Sequence, residues 1–289
     1  MLTLAIVSGL CMGGMYGLLA LGFHITYAVS NTVNFSQGTS LMLGAVTCYL
    51  FSTTLGWPIG LAILAALSVC ALWGVVIERV AVRPFVRVGS NAWLMATIAA
   101  GIILEHTVMF TFGKEPRSLV LPVSGEAFTI GGLAIAPLQI AILVVAICVA
   151  MGLHTFASRT KQGKALLAVV GNPAAASLMG IDVKRTITYC YAASTVLAGV
   201  AGILIAPLFS VSAEMGTLFG IKAFAVAILG GLNNARGVVV AGFVFGIVEA
   251  LITSSLGSAY TNIFAFILVI VALAIRPHGL LGTAGVRKV

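Results

Sequence analysis

The first 23 residues, MLTLAIVSGLCMGGMYGLLALGF (Met1–Phe23), decide the fold class of this chain. They include no Lys, Arg, Asp or Glu, so they lack the basic start of a signal peptide. The apolar run also outlasts a signal-peptide core and is long enough for a membrane span, which needs about 20 residues. We therefore expect a membrane-spanning helix that is retained in the mature protein.

The composition extends this expectation to the whole chain. Its 289 residues are 61% hydrophobic and only 8% charged, whereas soluble domains carry about 25% charged residues. Seven acidic and fifteen basic residues are too few to cover a water-soluble surface. Five scattered cysteines do not form a disulfide framework, and continuous apolar runs differ from the alternating strands of a membrane barrel. The chain is predicted to be an all-α polytopic membrane protein with one transmembrane domain over 1–289.

The apolar runs predict about 8–10 transmembrane helices, and nine segments can be assigned to them. One of these segments is short, rich in glycine and contains Lys222, which suggests that it is broken or only half-buried. The nine predicted spans are 4–28, 36–55, 58–80, 91–112, 134–156, 186–210, 216–233, 238–256 and 259–275.

The basic residues predict the orientation of these spans, because Lys and Arg are enriched in short cytoplasmic loops. With nine spans, every basic cluster falls on one side, as does the carboxyl terminus, while the amino terminus and the 113–133 loop lie outside. The net charge of +8 then indicates contact with anionic membrane lipid and not with nucleic acid. The clusters comprise Arg79, Arg83, Arg87, Arg159, Lys161, Lys164, Lys184, Arg185, Arg236, Arg276, Arg287 and Lys288.

Glycines at four-residue spacing predict close helix contacts. Gly9, Gly13 and Gly17 lie on one face of the first span, and Gly242 and Gly246 lie on one face of the eighth. Such glycines let helix backbones approach each other in lipid. Packing within one bundle is the favoured interpretation, and a contact between subunits is the alternative.

Two polar stretches interrupt the apolar pattern. The first, Ser30–Gly38, is either a satisfied cytoplasmic turn or a broken helix whose polar groups line a pathway for a solute. The second, Gly230–Gly237, interrupts the other half, as an internally duplicated transporter would show. The pathway or gate candidates are Asn31, Asn34, Phe35, Ser36, Gln37, Gly38, Asn233 and Asn234.

Lys222 and Glu249 lie within predicted spans, and Glu105, His106 and His24 lie in or near them. A charge inside the membrane is costly and is usually paired or faces a cavity, so we expect Lys222 and Glu249 to be intramembrane charges, with a mutual ion pair as one hypothesis. No nucleotide-binding loop, HExxH or GxSxG motif occurs. The chain is therefore not expected to be an enzyme, and any ATP is expected to be bound by another chain.

The loop 157–185 contains a mildly apolar segment that is too short to cross a membrane, KALLAVVGNPAAASLM (Lys164–Met179). Asn172 is a suitable N-cap, Pro173 a suitable first helical residue, and Gly180 a suitable C-terminal cap. A small neutral helix on the cytoplasmic side can dock another protein. The segment lacks a strong basic face, which makes the alternative, a helix lying on the bilayer surface, less favourable.

These features resemble the high-affinity branched-chain amino acid ABC transporter permeases, and more closely their LivH branch. The resemblance follows the whole chain in order. It is carried by Gly17–Gly22 (GLLALG), Asn34–Gly38 (NFSQG), Asn172–Ile181 (NPAAASLMGI), Ala227–Leu232 (AILGGL) and Arg276–Gly282 (RPHGLLG).

The resemblance implies a type II-like ABC importer bundle in a bacterial inner membrane, with no cofactor bound by this chain. Its expected partners are a second related permease, two cytoplasmic ABC ATPases that use ATP, a periplasmic solute-binding protein and membrane lipid. The helix 164–181 would then be the coupling helix that contacts an ATPase. The implied coupling residues are Gly171, Asn172, Ala175, Ala176, Leu178, Met179 and Gly180.

The chain departs from the family pattern at both polar breaks. Gln37 replaces a common His, and Asn233–Arg236 replaces a glycine-rich stretch. The solute therefore stays open among branched-chain amino acids, urea, short amides and other amino acids. A secondary transporter driven by an ion gradient is the rival from another class, and it would need buried acidic groups such as Glu249.

Overall fold

A computed structural model describes residues 2–119, 128–130, 133–275 and 279. Its helices are α1 (Leu2–Ser30), α2 (Gln37–Tyr49), α3 (Ile59–Val76), α4 (Arg83–Arg87), α5 (Trp93–Phe112), α6 (Pro137–Arg159), α7 (Lys161–Gly171), α8 (Pro173–Leu178), α9 (Val183–Phe209), α10 (Met215–Gly230), α11 (Ala235–Leu256) and α12 (Ser258–Ile275). Two π-helical segments, Leu50–Thr54 and Ile77–Val82, follow α2 and α3. Two short antiparallel strands, β1 (Phe128–Ile130) and β2 (Leu133–Ile135), form a hairpin.

Each of the nine predicted spans contains a helix, so the all-α bundle is confirmed. Within the described residues, six helices are long and apolar enough to cross a membrane, which makes the chain a multi-pass membrane protein. The helix α10 is apolar but shorter. The six are Thr3–Ser30, Ile59–Arg87, Trp93–Phe112, Pro137–Arg159, Val183–Phe209 and Ala235–Leu256.

Several predicted boundaries differ from the structure by three residues or more, and two of these differences have a local structural reason. The span predicted at 134–156 begins at Pro137, because residues 133–135 pair in the β hairpin. The span predicted at 58–80 continues to Arg87 through a π-helical turn. The carboxyl-terminal segment after Ile275 lies outside the described residues apart from Gly279, so its cytoplasmic location stays a prediction.

The helix α1 lies at the centre of the bundle and packs antiparallel to α11. A Cβ placed on Gly9 would lie 2.7 Å from Ile247 Cα, and one on Gly13 would lie 2.7 Å from the Gly242 oxygen. On the opposite helix, a Cβ on Gly246 would lie 2.4 Å from the Gly13 nitrogen. The backbones of the two helices are therefore in direct contact, which confirms that the spaced glycines pack two helices of one chain together.

The helices α2 and α3 pack closely against α9, which forms a second region of backbone contact in the bundle. A Cβ on Gly44 would lie 2.4 Å from Gly199 Cα, and one on Gly74 would lie 2.6 Å from the Tyr191 oxygen. Thr195 Oγ1 donates a 2.7 Å hydrogen bond to the Cys70 oxygen. By contrast, most of α5 and α6 is exposed on the surface of this chain. The buried centre thus consists of α1, α2, α9, α10 and α11, and it holds most of the first polar break.

Candidate functional site

The first polar break lies inside the bundle and not at its edge. Gln37 Nε2 donates to the Ser194 oxygen at 2.9 Å, and Ser194 Oγ donates to Gln37 Oε1 and to the Gly22 oxygen. Gly22 precedes the end of α1 by eight residues, and Ser194 follows the start of α9 by eleven. At 1.5 Å per residue, α2 therefore begins about 12–16 Å inside the ends of these helices.

Most side chains of this break are buried, and several are hydrogen-bonded within the chain. Ser36 Oγ accepts a 3.1 Å hydrogen bond from Trp73 Nε1, and Asn34 Oδ1 accepts one from the Ser36 nitrogen. Asn34 Nδ2 is buried with no hydrogen-bond partner among the described residues. Asn31 is exposed with a φ of 53°. The chain therefore turns at Asn31 and re-enters the bundle to begin α2 at Gln37, while a role in lining the pathway stays a prediction.

The helices α5 and α10 hold this break from two sides. The Phe35 nitrogen donates a 3.4 Å hydrogen bond to Thr97 Oγ1 of α5. The Phe35 and Phe224 ring centroids lie 5.1 Å apart, which joins the break to α10. A Cβ on Gly38 would lie 2.3 Å from the Gly216 oxygen, so glycine is needed for this close approach. Movement of α5 or α10 would therefore move the break.

The second polar break is a capped turn between α10 and α11. Gly231 has a φ of 88°, a conformation that favours glycine. Asn234 Oδ1 accepts hydrogen bonds from the Arg236 and Gly237 nitrogens at 3.1 and 3.2 Å, which caps α11. Asn233 is exposed. His24 Nδ1 lies 2.7 Å from the Leu232 oxygen, which ties this turn to α1.

The two intramembrane charges form a buried ion pair, as hypothesised. Lys222 Nζ of α10 donates to Glu249 Oε1 of α11. The second oxygen of Glu249 and the hydroxyl of Tyr16 are buried beside this pair. The two opposite charges are thereby paired inside the bundle, as buried charges in proteins usually are.

A second charge pair was not foreseen from the sequence. Arg83 binds Glu78 through two hydrogen bonds of 2.7 and 2.8 Å, and Thr188 Oγ1 donates to the same carboxylate. A spacing of five residues does not place side chains together on an α-helix. The π-helical turn Ile77–Val82 changes this, because its repeat is close to five residues.

The predicted coupling segment consists of two helices and not of one over 164–181. Asn172 is extended, with φ −153° and ψ 102°, and Pro173 cannot continue the preceding helix. The predicted caps are present: Asn172 Oδ1 accepts from the Ala175 nitrogen at 3.1 Å, and Gly180 has a φ of 83°. The Ile181 nitrogen donates to the Ala176 oxygen, which closes the end of α8.

The tip of this segment exposes apolar side chains. Leu178 is 89% exposed and Met179 is 82% exposed. Asn172, Ala175 and Gly180 are also exposed, and Ala176 packs inward. Two large apolar residues on a short capped helix form a surface suited to a protein partner.

Comparison with known proteins places the chain in a family. The family model described as branched-chain amino acid transport system / permease component matches residues 5–273. The chain is 33% identical to the high-affinity branched-chain amino acid transport system permease protein BraD of Pseudomonas aeruginosa, with 98% of this chain and 97% of that protein covered. It is 29% identical to the corresponding permease protein LivH of Escherichia coli K12, with 98% and 96% covered.

A solved structure shares the fold. The chain matches PsaBC from Streptococcus pneumoniae in complex with Fab with a TM-score of 0.51 and 15% identity, covering 94% of this chain and 91% of that one. The sequence similarity extends over nearly the full length, and the fold is that of a multi-pass helical bundle. The chain therefore belongs to the branched-chain amino acid transport permease family, as a membrane transport component and not as an enzyme.

Proposed function

We propose that the chain is the permease subunit of an ATP-driven importer of branched-chain amino acids in a bacterial inner membrane. The relatives named for this transport match it from end to end. The observation that carries the ATP-driven mechanism is the exposed apolar tip of α8, Leu178 and Met179. This tip offers a docking surface, whereas the sequence offers no nucleotide-binding loop of its own.

The α7–α8 segment is the proposed contact with a cytoplasmic ABC ATPase. Its helices are joined through an extended Asn172 and end at a tight cap, so the tip is held in one orientation. Apart from the buried Ala176, its proposed contact residues are exposed, and all but the two apolar side chains at the tip are small. A second related permease, a second ATPase and an extracytoplasmic solute-binding protein complete the proposed assembly, with ATP bound by the ATPases.

The first polar break, at residues 31–38, is the proposed gate of the pathway. Apart from the exposed Asn31, its polar groups are buried within this chain, so they are not open to water in this conformation. They are held by α5 and α10, and a shift of either helix would uncover them. We propose that ATP-driven motion of α7–α8 is passed to these helices through the bundle, with Asn233 and Asn234 at the turn after α10.

The arrangement of the buried charges makes the alternative, a secondary transporter driven by an ion gradient, less favourable. An ion-coupled carrier needs an acidic group that can bind and release a cation at membrane depth. Glu249 is already paired with Lys222. Glu249 is therefore better explained as a structural residue than as a cation-binding site.

Uptake of labelled solutes tests the proposed substrate class. Cells lacking their own importers would express the chain with its full neighbouring gene set and receive leucine, isoleucine, valine, urea and a short amide. We expect uptake of the three branched-chain amino acids above the level of a strain without this chain. Uptake of urea or the amide alone would assign the permease to a different substrate.

Bulky residues at the tip of α8 are expected to uncouple transport. Ala175→Trp and Gly180→Leu each place a large side chain on the docking surface, and Gly180→Leu also strains a positive φ. Leucine uptake should fall about tenfold or more, with the permease still inserted and with less ATPase recovered on purification. Gly152→Leu is the control, because it adds the same side chain to an open face of α6. Normal uptake and ATPase recovery in both tip variants would remove this assignment.

A further inference from the structure

Glu105 is a carboxylate in the middle of an apolar helix. It lies twelve residues after Trp93 and seven before Phe112, the ends of α5, which corresponds to about 18 Å and 10 Å along the helix axis. Its side chain is partly exposed on the surface of this chain. An ionised group at this depth is found facing protein or water and not lipid. The side of α5 that bears Glu105 is therefore not a lipid-facing side.

The carboxylate is turned toward α10. Glu105 Oε2 accepts a 2.9 Å hydrogen bond from Thr217 Oγ1, in the first turn of α10. Ile103 and Phe110 lie on the opposite side of α5 by helical spacing and are 65% and 89% exposed. The helix thus has an apolar outer side, and Glu105 lies on the side that α5 shares with α10.

The side of α5 that bears Glu105 borders the first polar break, Ser30–Gly38. A Cβ on Gly101, one turn before Glu105, would lie 3.5 Å from Ser36 Cα and 3.4 Å from Thr39 Oγ1. On α10, Gly216 and Gly220 contact Gly38. Glu105 and Thr217 therefore bridge two helices directly beside the segment that we propose as the gate.

We propose that Glu105 transiently binds the ammonium group of the transported amino acid on the α5–α10 face. This inference rests on the proposed function, because an amino acid carries an ammonium group at neutral pH. Thr217 orients the carboxylate, and the exposed side chain of Ile221, one turn further along α10, offers apolar contact to a branched side chain. Lys222 is paired with Glu249, so it is not available to the solute carboxylate.

Transport by charge-neutral variants tests the ammonium contact. The complete transporter, with both permeases, the ATPases and the binding protein, would be placed in proteoliposomes with leucine. Glu105→Gln should lower the maximal import rate about tenfold or more, the loss expected for one charge-assisted contact, with the KM for loaded binding protein unchanged. Glu105→Asp should retain most of the rate. Glu214→Gln is the matched control, since Glu214 is an exposed acidic residue at the start of α10.

Thiol labelling tests the location of Glu105 without depending on transport or on the solute. In a Cys148→Ser background, which removes the one exposed cysteine among the described residues, Glu105→Cys and Ile103→Cys would be treated with a membrane-impermeant thiol reagent during ATP turnover. We expect labelling at position 105 and none at position 103. Absence of labelling at position 105 would overturn the inference.

The two measurements separate failure of this inference from failure of the proposed function. A wild-type import rate for Glu105→Gln with leucine would overturn the ammonium contact and leave the proposed function intact. Import by the wild-type transporter of only solutes that lack an ammonium group would overturn both. Labelling at position 105 together with a lower leucine import rate for Glu105→Gln would support the inference.

Discussion

Gly13→Ala is expected to destabilise the bundle by at least about 3 kcal/mol, the upper end of the usual cost of overpacking. The added Cβ would lie 2.7 Å from both the Gly242 oxygen and Phe243 Cα. Both are backbone atoms, so no flexible side chain can move aside. Relief requires separation of α1 from α11, which lie in the middle of the bundle.

Gly17→Ala supplies the matched control on the same face of α1. Its Cβ would lie 3.8 Å from Val239, which is ordinary van der Waals contact. Thermal unfolding of the purified permease in detergent would compare both variants with the wild type. We expect a large fall in the unfolding temperature for Gly13→Ala and little change for Gly17→Ala. Equal tolerance of the two substitutions would contradict the close α1–α11 contact.

Breaking the Lys222–Glu249 pair is expected to have the second large effect. Lys222→Met or Glu249→Gln alone should cost about 3–5 kcal/mol, because each leaves a buried group without its partner. The double variant Lys222→Met/Glu249→Gln should recover most of this loss, since no unpaired charge remains. The charge swap Lys222→Glu/Glu249→Lys should recover assembly in part.

A double-mutant cycle measured by unfolding in detergent tests this coupling. The exposed pair Arg185–Asp182 is the control, because its coupling energy in the same cycle should be less than about 1 kcal/mol. A double variant at 222 and 249 whose loss equals the sum of the single losses would show that the two charges act independently.

Local signals in the sequence were sufficient to predict much of this fold. An apolar run can be read from consecutive residues without knowledge of the fold. Each of the nine spans predicted from such runs contains a helix. The glycine spacing at Gly9, Gly13 and Gly246 identified a contact face, because small residues at four-residue intervals lie on one side of a helix. The caps at Asn172 and Gly180 were also predictable, since capping depends on a single side chain or a single φ.

Features that depend on tertiary position were not predictable in this way. The first polar break was compatible with a turn at the membrane surface, and only packing against Gly22 and Ser194 locates it within the bundle. The Glu78–Arg83 pair depends on a π-helical turn that the sequence pattern does not reveal. Glu105 was noticed as a residue within a span, but its contact with Thr217 joins positions 112 residues apart.

Leucine uptake under controlled energy supply tests the central claim that the permease is driven by partner ATPases. The complete transporter would be placed in proteoliposomes with ATP on the ATPase side and with ionophores that dissipate the proton and sodium gradients. We expect leucine to accumulate under these conditions, and to stop accumulating when ATP is replaced by a non-hydrolysable analogue. Accumulation that requires an ion gradient and proceeds without ATP or ATPase subunits would contradict the account.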